Sequence, residues 1–414
     1  MTKIISLTYD PLEIIECSQS LLKETQKGNW VKLSHPREET EIDVKSLNLL
    51  SQGPGIIIAS SGSTGGRHYC FQPCSHINQS AFATGQWLKE EGINPNKCKI
   101  FNPLPLNHVS GLMPWWRSRH WEVEHEWISP SLMRNPAELV NSISIKSRDD
   151  TNLILSLVPT QLKRLLQDRS SIEWLKSFTV IWVGGSFLPD KLAEISRKKG
   201  IRLSPCYGTT ETMAMVAALS PNNFLQGESG VGRPLEDIEL RLNDNKALQI
   251  RTSRLGTAIW KKGKLLDLKD KNGWWSSGDL AEIISNSKGK TLRIKGRFDN
   301  AIHSGGETIF PEKLQEQLFN RAINIQMPIK SILLAPIDDE EWGNRLIALV
   351  RLHQDYSEIN AKEIFIQLKE IVNAWLPAEK PYKWYHCPHL EKDILGKWDL
   401  DKWVTWAKTK EPIF

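Results

Sequence analysis

Short apolar runs alternate with amphipathic stretches along the first half of the chain. Four of the runs end in turn residues and predict buried strands: GIIIAS (55–60), KIFNPLPL (99–106), NLILSLVP (152–159) and FTVIWVGG (178–185). Apolar positions recur at helical spacing in four other segments, 76–91, 136–147, 160–168 and 189–199, with Pro189 where a first helical turn would start. Strands that alternate with helices predict an α/β fold with parallel, doubly wound sheets.

The pattern changes twice further along the chain. Short alternating segments predict a small antiparallel β region, in one form a barrel: IELRL (238–242), ALQIRT (247–252), GTAIW (256–260), LAEII (280–284) and TLRIK (291–295). After Gly296 a different pattern predicts a helix over 311–320, a strand pair around 331–350 and an amphipathic helix over 361–375. We therefore expect a large N-terminal domain over 1–296 and a small α+β domain over 297–414.

Composition narrows the class of protein. The chain has 414 residues, 40% hydrophobic and 24% charged, a globular balance that allows two to three domains. The 53 basic residues exceed the 48 acidic ones by only five, too weak and too dispersed an excess to indicate a nucleic-acid partner. The 17 tryptophans fit either stacking surfaces or large core side chains.

The expected cellular location follows from segments that the sequence lacks. No apolar run approaches the roughly 20 residues that cross a bilayer, and the N-terminal segment has neither the long apolar region nor the cleavage site of a secretory signal. The six cysteines are scattered and form no CxxC pair. We expect a cytoplasmic protein with reduced thiols and no transmembrane segment.

The first candidate for chemistry is the loop from Ser60 to Arg67, SSGSTGGR, directly after a predicted strand. Its glycines let the backbone approach an anion, its hydroxyls can donate hydrogen bonds, and Arg67 adds positive charge. The GK[ST] ending of a Walker loop is absent. The segment is either a phosphate-binding loop or a surface loop.

The second candidate is YGTTE (207–211), between a strand-like IRLSPC and a TMAMVAAL segment (212–219) that predicts a helix. At the carboxyl end of a strand, Glu211 can hold a hard cation, Thr210 can donate to a phosphate, and Tyr207 can lie flat on a base. Alternatively, a threonine caps the helix and Glu211 is an acid of its first turn.

Three further signals are weaker. Asp279 follows a glycine in SSGD and can accept bonds from two ribose hydroxyls, or only form a turn. Arg297 and Asp299 lie at the predicted domain boundary, with SGGE (304–307) close behind, and are hinge candidates or members of an interdomain ion pair. Lys397, after a glycine, presents a charge suited to phosphate, as many surface lysines do.

Other chemistries have less support. The acidic and histidine residues of 120–126 are typical of a solvated strand face. His386, Cys387 and His389 lack a fourth zinc ligand in the sequence pattern. A G-x-S-x-G nucleophile elbow is also missing, which argues against a hydrolase.

The order of these segments resembles the AMP-forming acyl-CoA synthetases, also called the ANL adenylating superfamily. SSGSTGG resembles the phosphate loop of that family and VGGSFLP its Gly-Gly adenine loop, and YGTTE, SSGD, GRFDNAIHSGGETIFPEKL and LGK follow in family order. The resemblance covers roughly residues 55–400. It implies a reaction in which a carboxylate attacks ATP with Mg²⁺ to give an acyl-adenylate, after which coenzyme A displaces AMP.

The resemblance also implies a role for each matching residue. Those that would bind ATP are Ser61, Gly62, Ser63, Thr64, Gly65, Gly184, Gly185, Ser186, Tyr207, Gly208, Thr209, Asp279 and Arg297. Thr210 would contact the α-phosphate and Glu211 the Mg²⁺. Lys397 would bridge the α-phosphate and the substrate carboxylate during adenylation, and His108 would lie between the acyl pocket and the thioester tunnel. Asp299 would be the hinge about which a mobile C-terminal domain turns between the two half-reactions.

Two departures from the family pattern alter these expectations. After the phosphate loop the family continues to Pro-Lys-Gly, whereas this chain has Gly66-Arg67-His68-Tyr69, so we expect weaker or differently closed nucleotide binding, with Arg67 in place of the lysine. Before Lys397, Glu391 replaces a proline while Lys392 is kept.

Within the superfamily, PLPLNHVSGLMPWWR (103–117) resembles the o-succinylbenzoate–CoA ligases of menaquinone and phylloquinone biosynthesis, with His108 and Arg117 in matching places. Arg117 would recognise the substrate, or is a structural arginine packed between tryptophans. Two alternatives stay open: a ligase for another aromatic or short-chain carboxylate, and a non-catalytic nucleotide-binding homologue. The sequence leaves open whether the chain forms a homodimer.

Overall fold

The computed structural model describes residues 4–8, 10, 12–34, 42, 53–60, 68–143, 145, 150–261, 263–286, 289–297, 302–304, 307–353, 358–392 and 398–414. Its strands are β1 (Ile4–Thr8), β2 (Trp30–Ser34), β3 (Gly55–Ser60), β4 (His68–Pro73), β5 (Cys98–Asn102), β6 (Glu124–Trp127), β7 (Asn152–Leu157), β8 (Val180–Val183), β9 (Leu203–Thr209), β10 (Ala214–Ala218), β11 (Arg233–Pro234), β12 (Glu239–Leu242), β13 (Ala247–Arg251), β14 (Ala258–Lys261), β15 (Lys264–Asp267), β16 (Trp275–Asn286), β17 (Gly289–Arg297), β18 (Ile302–Ser304), β19 (Glu307–Ile309), β20 (Ile329–Asp339), β21 (Gly343–Leu352) and β22 (Lys383–His386).

The α-helices are α1 (Ile14–Gln26), α2 (Cys74–Glu90), α3 (Val109–Trp121), α4 (Pro136–Ser142), α5 (Pro159–Leu165), α6 (Arg169–Lys176), α7 (Asp190–Lys198), α8 (Pro221–Leu225), α9 (Pro311–Asn324), α10 (Glu358–Ile371) and α11 (Leu400–Lys408). Short 3₁₀ turns cover Pro95–Lys97, Leu132–Arg134 and Pro377–Glu379. The chain is therefore α/β, as the alternating pattern predicts.

The chain divides into two compact units. The larger contains Met1–Ser277 and Ala281–Ile294, and the smaller contains Gly278–Leu280 and Lys295–Phe414. The larger unit has a six-stranded sheet of order β1-β2-β3-β4-β14-β15 and a seven-stranded sheet of order β11-β10-β9-β8-β7-β5-β6. Strands β12, β13, β16 and β17 form a third sheet.

The seven-stranded sheet is covered on both faces. Its strands from β6 to β9 are parallel, and successive side chains of a strand point to opposite faces. Leu153, Leu155 and Leu157 pack into a core with helices α4 to α8, whereas Ile154 packs into a second core with Trp87 of α2. The continuous apolar runs of the sequence are thus those of strands buried on both sides.

The smaller unit is a five-stranded sheet between helices. Strands β19, β18, β21 and β20 are neighbours in that order, and β22 pairs with β21 in parallel. One face packs on α9 and α10 through residues such as Leu318 and Phe365, and the other on α11 through Trp403. Across the described residues of the chain, no helix is long and apolar enough to cross a membrane.

Three sequence predictions about these elements are wrong. TMAMVAAL contains strand β10, which is antiparallel to β9 because Met213 and Ala214 adopt left-handed φ angles and reverse the chain. GTAIW belongs to the six-stranded sheet, where β14 pairs with β4 and Trp260 packs into its core. Strands β12, β13, β16 and β17 form an open four-stranded sheet over the described residues, so the prediction of a barrel is incorrect.

Helix boundaries differ from the predictions by smaller amounts. Pro189 precedes α7 as its N-cap instead of starting the first turn. The predicted helix over 160–168 is α5, which ends at Leu165, and it is followed by an unpredicted helix, α6. Asp168 caps α6 by accepting a 2.8 Å hydrogen bond from the Ser171 N–H, which explains the break between the two helices.

Candidate active site

A tight turn at the carboxyl end of β9 positions Glu211. The hydroxyls of Thr209 and Thr212 lie 3.1 Å apart, and the Met213 N–H donates to the Thr210 carbonyl at 3.2 Å. Met213 and Ala214 then adopt left-handed φ angles of 51° and 76°. This backbone is unfavourable for residues with a side chain, so neighbouring structure must hold it.

Strand β4 holds the Glu211 side chain. Nε2 of His68 lies 2.7 Å from Oε1 of Glu211, and both side chains are largely buried. The Ser60 hydroxyl lies at the edge of the same imidazole, 2.9 Å from Nδ1 and 2.8 Å from Nε2. A hydroxyl, an imidazole and a carboxylate are therefore connected in one chain of contacts.

The backbone of the turn is held as well. Nε2 of Gln72 donates to the Thr210 carbonyl at 2.9 Å and to the Glu211 carbonyl at 3.1 Å. The Gly256 N–H donates to the same Glu211 carbonyl at 2.8 Å. A Cβ on Gly256 would lie 2.6 Å from the Cys70 sulfur, so the close approach requires glycine at this position.

Arg254 spans the strained part of the turn. This side chain is fully buried and donates to the Thr212 carbonyl on one side and to the Met215 carbonyl, at 2.6 Å, on the other. Its Nε also donates to Asp237 at 2.6 Å. One guanidinium thus satisfies two backbone carbonyls and a carboxylate, and it fixes the two left-handed residues between them.

The Gly-Gly loop follows β8, beside the end of β9. Gly185 has a left-handed φ of 82°, and the Cys206 thiol lies 3.6 Å from the Val183 carbonyl. Gly208 approaches β10 so closely that a Cβ would lie 2.2 Å from the Ala214 carbonyl oxygen. These glycines let the carboxyl ends of two parallel strands meet at one edge of the sheet, which is where open α/β sheets bind ligands.

Helix α3 carries two predicted residues. His108 is its N-cap, and its carbonyl accepts from the Gly111 and Leu112 N–H groups. Arg117 is buried at 3% exposure with its guanidinium 5.0 Å from the Trp182 ring. Its Nε and Nη2 have no hydrogen-bond partner among the described residues.

Burial determines the electrostatics around Arg117. It lowers the pKa of the Arg117 guanidinium to about 9 and raises the pKa of the neighbouring Cys206 thiol to about 12. A buried charge without a paired group is costly. The structure therefore places a cation beside Trp182 of β8 and near Cys206 of β9, and an anionic ligand would offset the cost of its burial.

The two residues that the resemblance predicts to bind the ribose, Asp279 and Arg297, lie close to each other. Nη1 of Arg297 is 3.5 Å from Oδ1 of Asp279, on strands β17 and β16, and the aspartate is buried. Other predicted residues fall outside the described part of the chain: Ser61, Gly62, Ser63, Thr64, Gly65, Asp299 and Lys397.

The donor set fits a magnesium–nucleotide complex better than a metal held by protein alone. Among the described residues there is no group of three or more His, Cys, Asp or Glu side chains that could hold a metal ion. Mg²⁺ is commonly held by one or two carboxylates together with substrate phosphates and water. The single carboxylate of Glu211 meets that requirement.

Sequence reasoning missed His68, Gln72 and Arg254 as parts of this site. Each acts across a large distance in sequence, as in the 143 positions between His68 and Glu211. The only available signal was the departure from Pro-Lys-Gly at His68, which the sequence interpretation assigned to Arg67. No local pattern marks Arg254.

Glycine turns and a buried carboxylate at the carboxyl ends of parallel strands define a nucleotide-binding α/β protein. The chain belongs to the AMP-binding enzyme family, whose model matches residues 23–264, more than half of its length.

Among known proteins, the chain is similar to the 2-succinylbenzoate–CoA ligases of Salmonella typhimurium and Escherichia coli, each 30% identical over 73% of this chain. The chain spans 59% of the length of each of these relatives. In fold it resembles the o-succinylbenzoate CoA synthetase of Bacillus subtilis in complex with the acyl-adenylate OSB-AMP, with a TM-score of 0.73 and 18% identity over 97% of this chain and 88% of the other. A single-substitution variant of the Escherichia coli enzyme with bound OSB-AMS gives a TM-score of 0.70 and 22% identity over 99% of this chain and 88% of the other.

Proposed function

We propose that this protein is an ATP-dependent acid–thiol ligase that activates 2-succinylbenzoate as an acyl-adenylate and transfers it to coenzyme A, a step of menaquinone or phylloquinone biosynthesis. The observation that carries the proposal is the buried Arg117 beside Trp182 of β8, with two guanidinium nitrogens that lack partners in the described structure. The names of the similar ligases support the same substrate.

The first half-reaction joins the acid to AMP. A carboxylate oxygen of the substrate attacks the α-phosphorus of ATP, the bond from that phosphorus to the bridging oxygen breaks, and pyrophosphate leaves. Thr210 would donate to the α-phosphate, where negative charge develops in the transition state. Lys397 would neutralise charge on both the α-phosphate and the attacking carboxylate.

The second half-reaction forms the thioester. The thiol of coenzyme A releases its proton to solvent, the sulfur attacks the acyl carbon, and the bond from that carbon to the AMP oxygen breaks so that AMP leaves. His108, at the N-terminus of α3, would lie between the acyl group and the incoming thiol. SGGE (304–307) would serve this step after Lys397 has withdrawn, with Asp299 as the hinge.

Nucleotide binding would use the residues at the strand ends. The loop Ser61–Gly65 would hold the β- and γ-phosphates through N–H groups and hydroxyls. Tyr207 with Gly184, Gly185 and Ser186 would enclose the adenine. The Asp279 and Arg297 pair would bind the ribose hydroxyls. When bound, Mg²⁺ at Glu211 supplies positive charge that offsets the phosphate charge.

Substrate choice would depend on Arg117. 2-Succinylbenzoate has two carboxylates, so one must be recognised while the other reacts. A guanidinium forms two parallel hydrogen bonds to a carboxylate, and the free Nε and Nη2 of Arg117 offer such a pair of donors within the described structure. Benzoate lacks the second carboxylate and would leave this charge without a partner.

The two domains would have different roles. Residues 1–296 would bind ATP and the acid, and residues 297–414 would form a mobile lid that carries Lys397. A cytoplasmic location agrees with the six cysteines, all of which lie in the described part of the chain and have free thiols.

A substrate panel tests the proposal. The purified protein is incubated with ATP, Mg²⁺, coenzyme A and one of 2-succinylbenzoate, benzoate, coumarate or a fatty acid, and pyrophosphate and thioester are measured. We expect kcat/KM for 2-succinylbenzoate to be at least about 100-fold higher than for benzoate, because benzoate leaves the buried Arg117 charge without a partner. Preference for another acid would contradict the substrate assignment. Absence of pyrophosphate with every acid would contradict the ligase activity itself.

A further inference from the structure

Ser60 and His68 close the base of the loop that the sequence predicts to bind phosphate. They are the last register pair of the antiparallel strands β3 and β4, so their Cα atoms lie opposite each other. Residues 61–67 connect them. Side chains at such a cross-strand pair face the same side of the sheet, which allows the hydroxyl and the imidazole to meet.

The same face of β4 also reaches the YGTTE turn. Residues at i and i+4 of a strand share a face, so His68 and Gln72 point in the same direction. Gln72 binds the backbone carbonyls of Thr210 and Glu211, and His68 binds the Glu211 carboxylate at 2.7 Å. One strand therefore fixes both the main chain and the side chain of the acid.

The contacts allow one hydrogen-bond assignment for this chain of polar groups. With a proton on Nε2, the imidazole can donate to Oε1 of Glu211 and accept at Nδ1 from the Ser60 hydroxyl, whose oxygen also lies 2.8 Å from Nε2. The His68 contact is made to Oε1 of Glu211, so within the described residues it leaves Oε2 for a further ligand. Ser60 at 5% exposure and Glu211 at 8% are shielded from water, which strengthens the arrangement.

We propose that His68 is a positioning residue that orients the Glu211 carboxylate for the magnesium ion of Mg·ATP and connects this acid to the base of the phosphate-binding loop. This inference rests on the proposed function, in which Glu211 receives the metal. Groups that hydrogen-bond to a metal ligand hold it in its binding orientation, and their loss commonly weakens metal affinity by about 10- to 100-fold.

Binding of Mn²⁺, followed by electron paramagnetic resonance in the presence of α,β-methylene-ATP, tests the inference without turnover. The full chain is compared with His68→Ala, His68→Gln and, as a control, His353→Ala at an exposed position of the smaller unit. We expect His68→Ala to raise the Mn²⁺ Kd by about 10- to 100-fold. His68→Gln, which places an amide N–H near the position of Nε2, restores binding to within about threefold, and His353→Ala does not change it.

Kinetics give a second readout. His68→Ala should raise the Mg²⁺ concentration for half-maximal pyrophosphate release by the same factor as the Mn²⁺ Kd, with the KM for the carboxylate substrate unchanged. A purely structural role would instead alter both constants and lower the melting temperature.

The outcomes separate the two claims. A wild-type chain that binds no Mn²⁺ with the nucleotide would contradict the proposed function. A wild-type chain that binds Mn²⁺, with His68→Ala equal to it, would overturn the role of His68. If His68→Ala does not fold, His68→Phe and His68→Gln decide, because phenylalanine keeps the ring without a donor. We expect the Mn²⁺ Kd of His68→Phe to exceed that of His68→Gln by at least about 10-fold, and equal Kd values would overturn the role of His68.

Discussion

The buried Arg117 guanidinium lies 5.0 Å from the Trp182 ring, and burial lowers its pKa to about 9. Removing a charge from water costs several kcal/mol unless a partner offsets it. In the described structure the partial compensation comes from the ring contact, worth about 1–2 kcal/mol. The remaining cost is what a substrate carboxylate would relieve on binding.

Replacement of this side chain separates binding from stability. For Arg117→Met we expect the melting temperature of the ligand-free protein to stay equal or rise, because an uncompensated charge is removed from the interior. The KM for 2-succinylbenzoate should rise at least about 10-fold through the lost charged hydrogen bonds, with the KM for ATP unchanged. Thermal melting and steady-state kinetics measure these effects, and Arg119→Met, exposed on the same helix, is the matched control. A lower melting temperature with both KM values unchanged would identify Arg117 as structural.

The pH dependence of the first half-reaction follows from the same group. The guanidinium is charged below its pKa of about 9 and neutral above it, so it attracts a carboxylate only on the acidic side. We expect kcat/KM for 2-succinylbenzoate, measured by pyrophosphate release without coenzyme A, to fall as the pH rises through about 9. This decrease should be missing from Arg117→Met, and its persistence there would assign it to another group.

Single residues show what a sequence can and cannot predict. Glu211 is a candidate because an acid after glycine and threonine at a strand end is a local pattern, whereas the roles of Gly184 and Gly208 follow only from the resemblance to the family. His68 and Arg254 belong to the site only because β4 and the segment before β14 pack against the YGTTE turn. That packing is set by tertiary contacts over more than 40 positions, which no local pattern contains.

At the scale of elements, the connection between β9 and β10 shows how a strained turn is held. The run from Thr212 to Leu219 has apolar residues at every position from Met213 onward, so its periodicity does not distinguish a helix from a strand buried on both faces. The deciding feature is the pair of left-handed residues, which reverses the chain, and Arg254 stabilises that reversal from outside the segment.

Loss of this arginine should destabilise the whole element. In Arg254→Met, two backbone carbonyls and the Asp237 carboxylate lose the hydrogen bonds of the guanidinium, and we expect the free energy of unfolding to fall by about 3 kcal/mol. Denaturant unfolding measures this value, with Arg134→Met at an exposed position as the control. Equal unfolding free energies for the two variants would show that the turn does not depend on Arg254.

At the scale of the whole molecule, the change of pattern along the sequence predicts domains over 1–296 and 297–414, whereas the smaller compact unit of the structure consists of Gly278–Leu280 and Lys295–Phe414. The α/β fold was predictable because the central parallel strands β5, β7 and β8 are buried on both faces and therefore appear as continuous apolar runs. The pairing of β14 with β4 was not, since sheet membership of a short strand depends on which edge is available.

The two half-reactions should be separable through one lysine of the smaller domain. We expect Lys397→Ala to lower the rate of acyl-adenylate formation by at least about 100-fold, because charge on the α-phosphate is no longer neutralised. Thioester formation from preformed adenylate should continue at the wild-type rate. Rapid-quench measurement of each half-reaction tests this, with Lys408→Ala on α11 as the control. An equal loss in both half-reactions would contradict the assigned role.

The most direct test of the ligase assignment is detection of the intermediate. The protein is mixed with ATP, Mg²⁺ and 2-succinylbenzoate without coenzyme A, quenched and analysed by mass spectrometry, and coenzyme A is then added to a parallel sample. We predict accumulation of 2-succinylbenzoyl-AMP in amounts close to the enzyme concentration and its conversion to 2-succinylbenzoyl-CoA and AMP after the addition. Formation of neither the adenylate nor pyrophosphate would contradict the account.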